Sequence, residues 1–548
     1  MQHHVAGWSR DPNVALALLG RTVPDRRLRI GLLCSTTHVE RWAFEAVAAM
    51  LEAPGLDVCG GVIWSQGPET QAPTLSGRAF AAYRSRCPVP KLLRPVDLTP
   101  LVAVQPLSGS RARATLESMN LDVVVSLDGR LPRERSTGLA RYGVWSVVWG
   151  DPLQPLRAPA FFWELHDEAA VTCAALVAHT ERFDAGRLLH RIACTTARSV
   201  YYTKNAEETP AAMKRILIRR LYDLLIHGWE HVTSARIECS TSVAARGPNL
   251  LQLGAFLGRR AGGSAIERAR SRRGQGRWFV SYRTDSQKFT HLRDRFTPED
   301  FQELPSPAPH HACADPFVVS ANGSDAIFVE DILPDGRGRL AVYARERSGR
   351  WPPSPAVILD RAQHLSYPCV LENDGEHYLI PESSAARRVE LWRAVKFPHQ
   401  WTLDTLYAED VALVDTTPVQ VDGRWYFFTT AVGPDASAME LFIFHADTLR
   451  GPWQAHRRNP VCSDVRAARM AGHFFRRNNR LIRPAQDCSG VYGRAIRLHE
   501  VLRLTPTEYA EHEVERIEPS WHAQSERTHT INATGSVEVI DGWRRDRR

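Results

Sequence analysis

The feature that most constrains this chain is a motif that returns about every fifty residues through its second half. The pieces "DPFVVSANGSDAIFVED" from 315, "YPCVLENDGEHYLIPES" from 367, "DTTPVQVDGRWYFFTTA" from 415 and "AGHFFRRNNRLIRPAQD" from 471 share one order. A β-type run comes first, then a turn rich in Asn, Asp or Gly, then a second aromatic or aliphatic run. A fifth piece, "ATGSVEVIDGW" from 533, is partial. A repeat of this length suits one four-stranded blade of a β-propeller, so five blades are expected over residues 277–542. "RWFVSYR" at 277–283 is placed to join the last blade and remove its exposed edge. A β-sandwich is the competing architecture, but sandwich strands need no regular spacing.

The first half reads differently. "LRIGLLC" at 28–34 is an apolar strand, "RWAFEAVAAMLE" has helical spacing, and "DVCGGVIW" is a second strand. "LDVVVSLDG" and "YGVWSVVWGD" continue the alternation. The expected fold is multidomain: a doubly wound α/β domain over 28–206, then the all-β propeller. Residues 1–27 are expected to be disordered, 207–257 to form a helical bridge, and the Gly/Arg-rich stretch 258–276 to be a linker.

Composition excludes several classes. With 43% hydrophobic and 24% charged residues the chain reads as globular, and no run of about 18 apolar residues reads as a membrane span. The N-terminus has no clean signal-peptide pattern, so a cytoplasmic location is expected. The ten cysteines occur singly, without metal or disulfide spacing, so no metal site is expected. The net charge of +8 comes mainly from arginines spread along the chain, which does not call for a nucleic-acid partner.

Residues 28–205 resemble the formyltransferase fold of methionyl-tRNA and sugar N-formyltransferases, on "LRIGLLC", "YGVWSVVWGDP" with "APAFFWEL", and "AAVTCAALVAHTERFDAGRLLHR". The resemblance implies an Asn-x-His pair and an Asp-x-Gly acting with formyltetrahydrofolate. The Asp-x-Gly matches Asp184-Ala185-Gly186, which makes Asp184 a catalytic candidate. The Asn and His positions hold Trp145 and Val147, which can replace neither a carboxamide nor an imidazole. Asp151, Glu164 and His166 lie close in sequence and offer a rearranged site. The favoured reading is a fold that has lost its chemistry, with Asp184 capping a turn.

Residues 277–542 resemble the N-terminal domain of plant glucosamine inositolphosphorylceramide transferases, a domain also found in bacterial proteins. "ADPFVV", "HLSYPCVLENDGEHYLIPES", "DTTPVQVDGRWYFF", "LIRPAQDCSGVYGRAI" and "THTINATG" carry the resemblance. That domain is similar in turn to five-bladed propellers of arabinanase, xylosidase and levansucrase type, whose sugar site lies on the axis.

Equivalent points of a propeller repeat converge on one channel. Asp315 and Asp415 match in blades one and three; Glu330 and Glu382 end the second strands of blades one and two. Arg469, Arg483, Gln486 and Tyr492 come from blade four. Carboxyls facing one cavity can divide proton transfer from charge stabilisation, and arginines can bind anionic sugar substituents. Asp315, Asp415 and Glu382 are the catalytic candidates. Glu330, His364, Tyr367, Arg469, Arg483, Gln486, Tyr492 and His529 are substrate-binding candidates. Against these stand plainer readings: turn capping for the aspartates, surface pairing of Glu382 with Arg387 or Arg388, and satisfied core histidines. Trp351, Trp401, Trp425 and Trp453 read as packing aromatics, and "DGR" and "NNR" as hairpin turns.

The hydrolase propellers usually offer an aspartate where this chain has Tyr367-Pro368, which argues against simple hydrolysis. The expected function is a transferase acting on a sugar, nucleotide sugar or glycoconjugate. The alternatives are formyltetrahydrofolate-dependent N-formylation of an amino sugar and a non-catalytic scaffold. The sequence leaves the oligomeric state open.

Overall fold

A computed structural model of the chain describes residues 22, 24–64, 74–107, 109–129, 138–181, 185–197, 199, 201–233, 237–241, 243–271, 276–308, 310–321, 323–432 and 439–545. The expectation of disorder before Leu28 falls largely outside these residues. Contacts divide the chain into two units, with the boundary between Glu267 and Arg268. No helix among the described residues is long and apolar enough to cross a membrane.

The first unit is built on an eight-stranded sheet. In spatial order its strands are Val104–Leu107, Leu56–Trp64, Leu28–Cys34, Val123–Ser126, Val144–Trp149, Val171–His179, Ala185–Thr195 and Glu238–Ser240. The first five run parallel and the last three pair antiparallel. Leu28–Cys34 is buried at every position but one, as a central parallel strand covered on both faces must be.

Two expected boundaries change. Residues 207–257 are part of this unit and not a bridge: helix Thr209–His227 packs on helix Arg41–Glu52, where Lys214 reaches Glu45 at 2.9 Å, and Glu238–Ser240 completes the sheet. Much of the expected linker is helix, which runs over Leu250–Ser271. Its Leu253 and Phe256 enter a core with Phe80, Phe162 and Tyr202, and its alanines and arginines are strong helix formers.

The second unit is a propeller of five blades. The first four start with the inner strands Ala312–Ala321, Ser366–Asn373, Leu413–Val421 and Arg469–Met470, and each continues outward through antiparallel neighbours. The fifth is composite. Ile531–Ala533 and Glu538–Arg545 come from the end of the domain, and Gly276–Arg283 from its beginning pairs with Glu538–Arg545 over its whole length. This is the closure that "RWFVSYR" predicts, and it leaves the ring no open seam.

A local device recurs in the first three blades. The pairing slips between Ala314 and Phe317, between Ser366 and Cys369, and between Val414 and Thr417. The first residue of each slip is left-handed: Asp315 at φ +49°, Tyr367 at +44° and Asp415 at +53°. Each is a β-bulge, which bends the strand and re-aims a side chain. Just before the bulges, Ala314 faces Glu330, Ser366 faces Glu382 and Val414 faces Thr430. The register that aligns the two aspartates also aligns the two glutamates.

Candidate functional site

The bulges and the strand ends beside them bring the acids together where the inner strands meet. Asp415 is 1% exposed and tightly held. Arg469 donates from Nε to Oδ2 at 2.6 Å and from Nη2 to Oδ1 at 3.0 Å, and Gln486 Nε2 donates to Oδ2 at 3.1 Å. Arg469 and Gln486 face each other across one strand pair of blade four, so a single register fixes both donors. Two guanidinium donors and an amide donor are the environment of a carboxylate anion.

Glu382 lies beside this pair. Arg469 Nη2 is 3.7 Å from its Oε2, and Ser384 Oγ donates to its Oε1 at 2.8 Å. Burial, followed by the charge of Asp415, raises its carboxyl well above the ordinary value against the opposing pull of Arg469. The Glu382 carboxyl therefore tends to keep a proton beside the donor-bound Asp415. The surface partnership with Arg387 or Arg388 does not form: Arg387 turns to the Asp410 carbonyl and Arg388 to Glu409.

Asp315 is the third acid. Its Oδ1 accepts from Thr530 Oγ1 at 2.7 Å, and its Oδ2 accepts from the Tyr367 backbone N–H at 3.2 Å. Burial raises its carboxyl strongly; His529 opposes this, and Glu330, Asp415 and Asp541 add to it. Beside it, His529 Nδ1 meets Asp541 Oδ2 at 2.5 Å and Asp315 Oδ1 at 3.8 Å. Burial alone would lower the imidazole, but Asp541 and then Asp315 push it up to about 9. The ring stacks on Trp278 of the closing strand, with centroids 4.0 Å apart and planes 12° apart.

Ligand atoms of Asp315, His529 and Asp541 lie within 4.8 Å of one another. Asp541 already accepts the backbone N–H groups of Asp315, His529 and Thr530 as well as the imidazole. The group is a hydrogen-bonded ion pair in its own right, and a cation could enter only by displacing the imidazole proton.

Glu330 and His364 form a further pair at 3.2 Å, with the imidazole half-exposed and raised first by Glu330 against burial. Tyr492 is exposed, its ring lying over the Arg469 guanidinium at 4.9 Å and edge-on to His529 at 5.4 Å. It offers an aromatic surface directly above the buried charges.

Two substrate-binding candidates are elsewhere. Arg483 is fully buried inside blade four, where Glu511 takes its Nε at 2.7 Å and Nη2 at 2.6 Å and the Ala467 carbonyl takes Nη2 at 2.8 Å. Glu511 lies on the outermost strand, so Arg483 ties the blade together and does not face the centre. Tyr367 is also fully buried: its hydroxyl accepts from Gly472 N–H at 3.0 Å and meets Thr417 Oγ1 at 2.8 Å. It braces blades two, three and four beneath the acids. Gln486 is buried, with its amide nitrogen donating to Asp415 and to the Met470 carbonyl.

Asp541, Thr530 and Trp278 escape the sequence reading. Asp541 sits in "VIDGW", which looks like a turn but is strand; the turn of that hairpin is the preceding Thr534–Val537 hydrogen bond. An aspartate closing the β-type run "VEVI" was the available signal.

In the first unit, Asp184 lies outside the described residues. Trp145 and Val147 are buried in the strand Val144–Trp149, with the Trp145 indole N–H given to the Tyr142 carbonyl at 3.1 Å. Asp151 is gripped by Arg191 at 2.7 and 3.1 Å, and His166 pairs with Asp167 at 2.6 Å. Burial raises the Glu164 carboxyl.

The second unit is thus a five-bladed propeller with a buried carboxylate and guanidinium centre to which every blade contributes. Residues 305–534 match the family described as glucosamine inositolphosphorylceramide transferase 1, N-terminal. Proteins called glucosamine inositolphosphorylceramide transferase 1 from Oryza sativa subsp. japonica and Arabidopsis thaliana are 34% identical over 254 residues and 32% identical over 216. The alignments cover 43% and 38% of this chain but only 34% and 28% of those proteins. Among solved structures, a family 117 glycoside hydrolase from Zobellia galactanivorans is 12% identical with a TM-score of 0.32, covering 48% of this chain and 90% of that one. An exo-1,5-alpha-L-arabinanase from a bovine ruminal metagenomic library is 9% identical with a TM-score of 0.29, covering 36% and 76%.

Proposed function

We propose that the propeller binds a sugar or glycoconjugate at the centre of its ring and that this centre carries glycosyl transfer. The observation behind this reading is the split between two adjacent acids: Asp415 fixed by Arg469 and Gln486, Glu382 pushed toward its protonated form. In this reading Glu382 gives its proton to the leaving oxygen as the old glycosidic bond breaks, Asp415 balances the positive charge that develops on the sugar, and the Glu382 carboxylate takes back the proton of the accepting hydroxyl as the new bond forms. Tyr492 stacks on the sugar face. His364 and Glu330 hold hydroxyls at the rim. The similarity to proteins named for moving glucosamine onto inositolphosphorylceramide favours an amino sugar, with an inositol-phosphate headgroup as the accepting class.

A thermal-shift screen tests this with glucosamine, N-acetylglucosamine, their uridine diphosphate conjugates and inositol phosphate. Stabilisation by one of these that disappears in Asp415→Asn supports the reading. Indifference to all of them, or stabilisation that survives the substitution, refutes it.

For the first unit we propose a formyltransferase-like fold without formyl transfer. Its support is that the positions an Asn and a His would need hold the buried Trp145 and Val147. Calorimetry of the full chain with formyltetrahydrofolate is expected to show no binding; a saturable heat would revive N-formylation of an amino sugar.

A further inference from the structure

Outside the propeller, one cluster joins three metal-ligating side chains. Helix Thr209–His227 ends at Gly228, whose φ of +80° breaks it and starts the short helix Trp229–Val232. Asp223 and His227 stand four residues apart and so share a helix face. The break then returns His231 to the same side. The His227 and His231 rings lie 4.7 Å apart at 59°, and one ligand atom from each of the three residues falls within 4.8 Å of the others.

The surroundings are ordered like those of a built site. Trp229, next to the break, stacks at 5.4 Å and 28° on Tyr142, in the turn that precedes the strand Val144–Trp149, which fixes the short helix that carries His231. Arg220 Nη1 holds Asp223 Oδ2 at 3.1 Å while its Nη2 meets His190 Nδ1 at 2.9 Å. A carboxylate that gives one oxygen to a cation is commonly held through the other by such a partner. Asp223 is buried and both imidazoles are half-buried, so a bound ion would be sheltered on one side and open on the other.

We propose that Asp223, His227 and His231 bind a divalent transition metal, with zinc the best fit. Two imidazoles and one carboxylate are a borderline donor set that disfavours magnesium and calcium. With the ligand atoms all within 4.8 Å of one another, rotation about the side-chain bonds brings them to zinc bonds of about 2.0–2.1 Å. Three protein ligands leave the fourth position to water or an anion. Cysteine spacing gives no sign of this site because no thiol takes part.

Chelator-stripped full-length protein is titrated with zinc against a chromophoric competitor, and thermal unfolding is followed with and without the metal. The expected result is one tight equivalent per chain and a zinc-dependent rise in Tm. His227→Ala and His231→Ala should each weaken binding by at least about tenfold while leaving the metal-free Tm unchanged. His529→Gln in the propeller should alter neither stoichiometry nor affinity. The proposal is overturned if no stoichiometric zinc binds, if binding survives both histidine substitutions, or if it is lost in His529→Gln alone.

Discussion

Arg469 holds Asp415 through two parallel hydrogen bonds of 2.6 and 3.0 Å, and the same guanidinium stands 3.7 Å from Glu382. One cation therefore fixes the position of one acid and opposes the upward push on the other. Lysine cannot reproduce the fork. Arg469→Lys should fold but lose at least about tenfold in sugar affinity, read by calorimetry. Arg469→Met leaves the acids without a counter-charge and should cost about 3–5 kcal/mol in denaturant unfolding.

Asp315 sits at φ +49°, so it has a backbone role as well as a chemical one. Asparagine tolerates the left-handed region, and the Thr530 hydroxyl can turn to accept from the new amide. Asp315→Asn should stay within about 1 kcal/mol of wild type in stability while losing ligand binding. Asp315→Val should lose at least about 2 kcal/mol, because a β-branched residue resists this conformation and the Tyr367 N–H loses its acceptor. Equal stability of the two variants would contradict the backbone role.

Alkaline pH should loosen the propeller. The folded imidazole of His529 is pushed up to about 9 from an ordinary 6.5, so the native state holds a proton that the unfolded state releases first. Its contribution is complete below pH 6.5 and is lost as pH rises toward about 9; at full strength it is at most about 3 kcal/mol. Asp315 and Glu382, both raised, act in the same direction. Denaturant titrations between pH 6.5 and 9 should show falling stability, with a flatter slope in His529→Gln. Rising stability across that window would contradict the assignment.

Tyr367 gives a purely structural test. Tyr367→Phe leaves the Gly472 N–H without its acceptor and removes one of the two hydrogen bonds of the Thr417 hydroxyl, at a cost of about 1–3 kcal/mol, and should change ligand affinity little once the variant is folded. A large loss of affinity at unchanged stability would return Tyr367 to the site.

The propeller was legible because its period is long and its turns are chemically explicit; the repeat alone aligns Asp315 with Asp415, and the register confirms it. Glu330 and Glu382 are aligned the same way, opposite Ala314 and Ser366. What the repeat cannot show is where a side chain points when its partner lies on another strand. Arg483 shares its strand with Gln486, yet its carboxylate is Glu511 on the outer edge. Tyr367 occupies the same bulge position as the two aspartates, but its longer side chain carries the hydroxyl past the centre to Gly472. Asp541 hid in a dipeptide that reads as a turn. In the α/β unit, glycine and arginine content concealed a helix whose apolar residues find partners only in three dimensions.

In the proposed function the acids at the middle of the propeller hold a sugar. Calorimetric titration of UDP-N-acetylglucosamine and of glucosamine into wild-type protein, Glu382→Gln and Arg469→Lys tests it most directly. Saturable binding of at least one of the two sugars to wild type is expected, retained in Glu382→Gln, which mimics the protonated acid, and weakened at least about tenfold in Arg469→Lys. Absence of binding to wild type, or equal affinity in all three proteins, would contradict it.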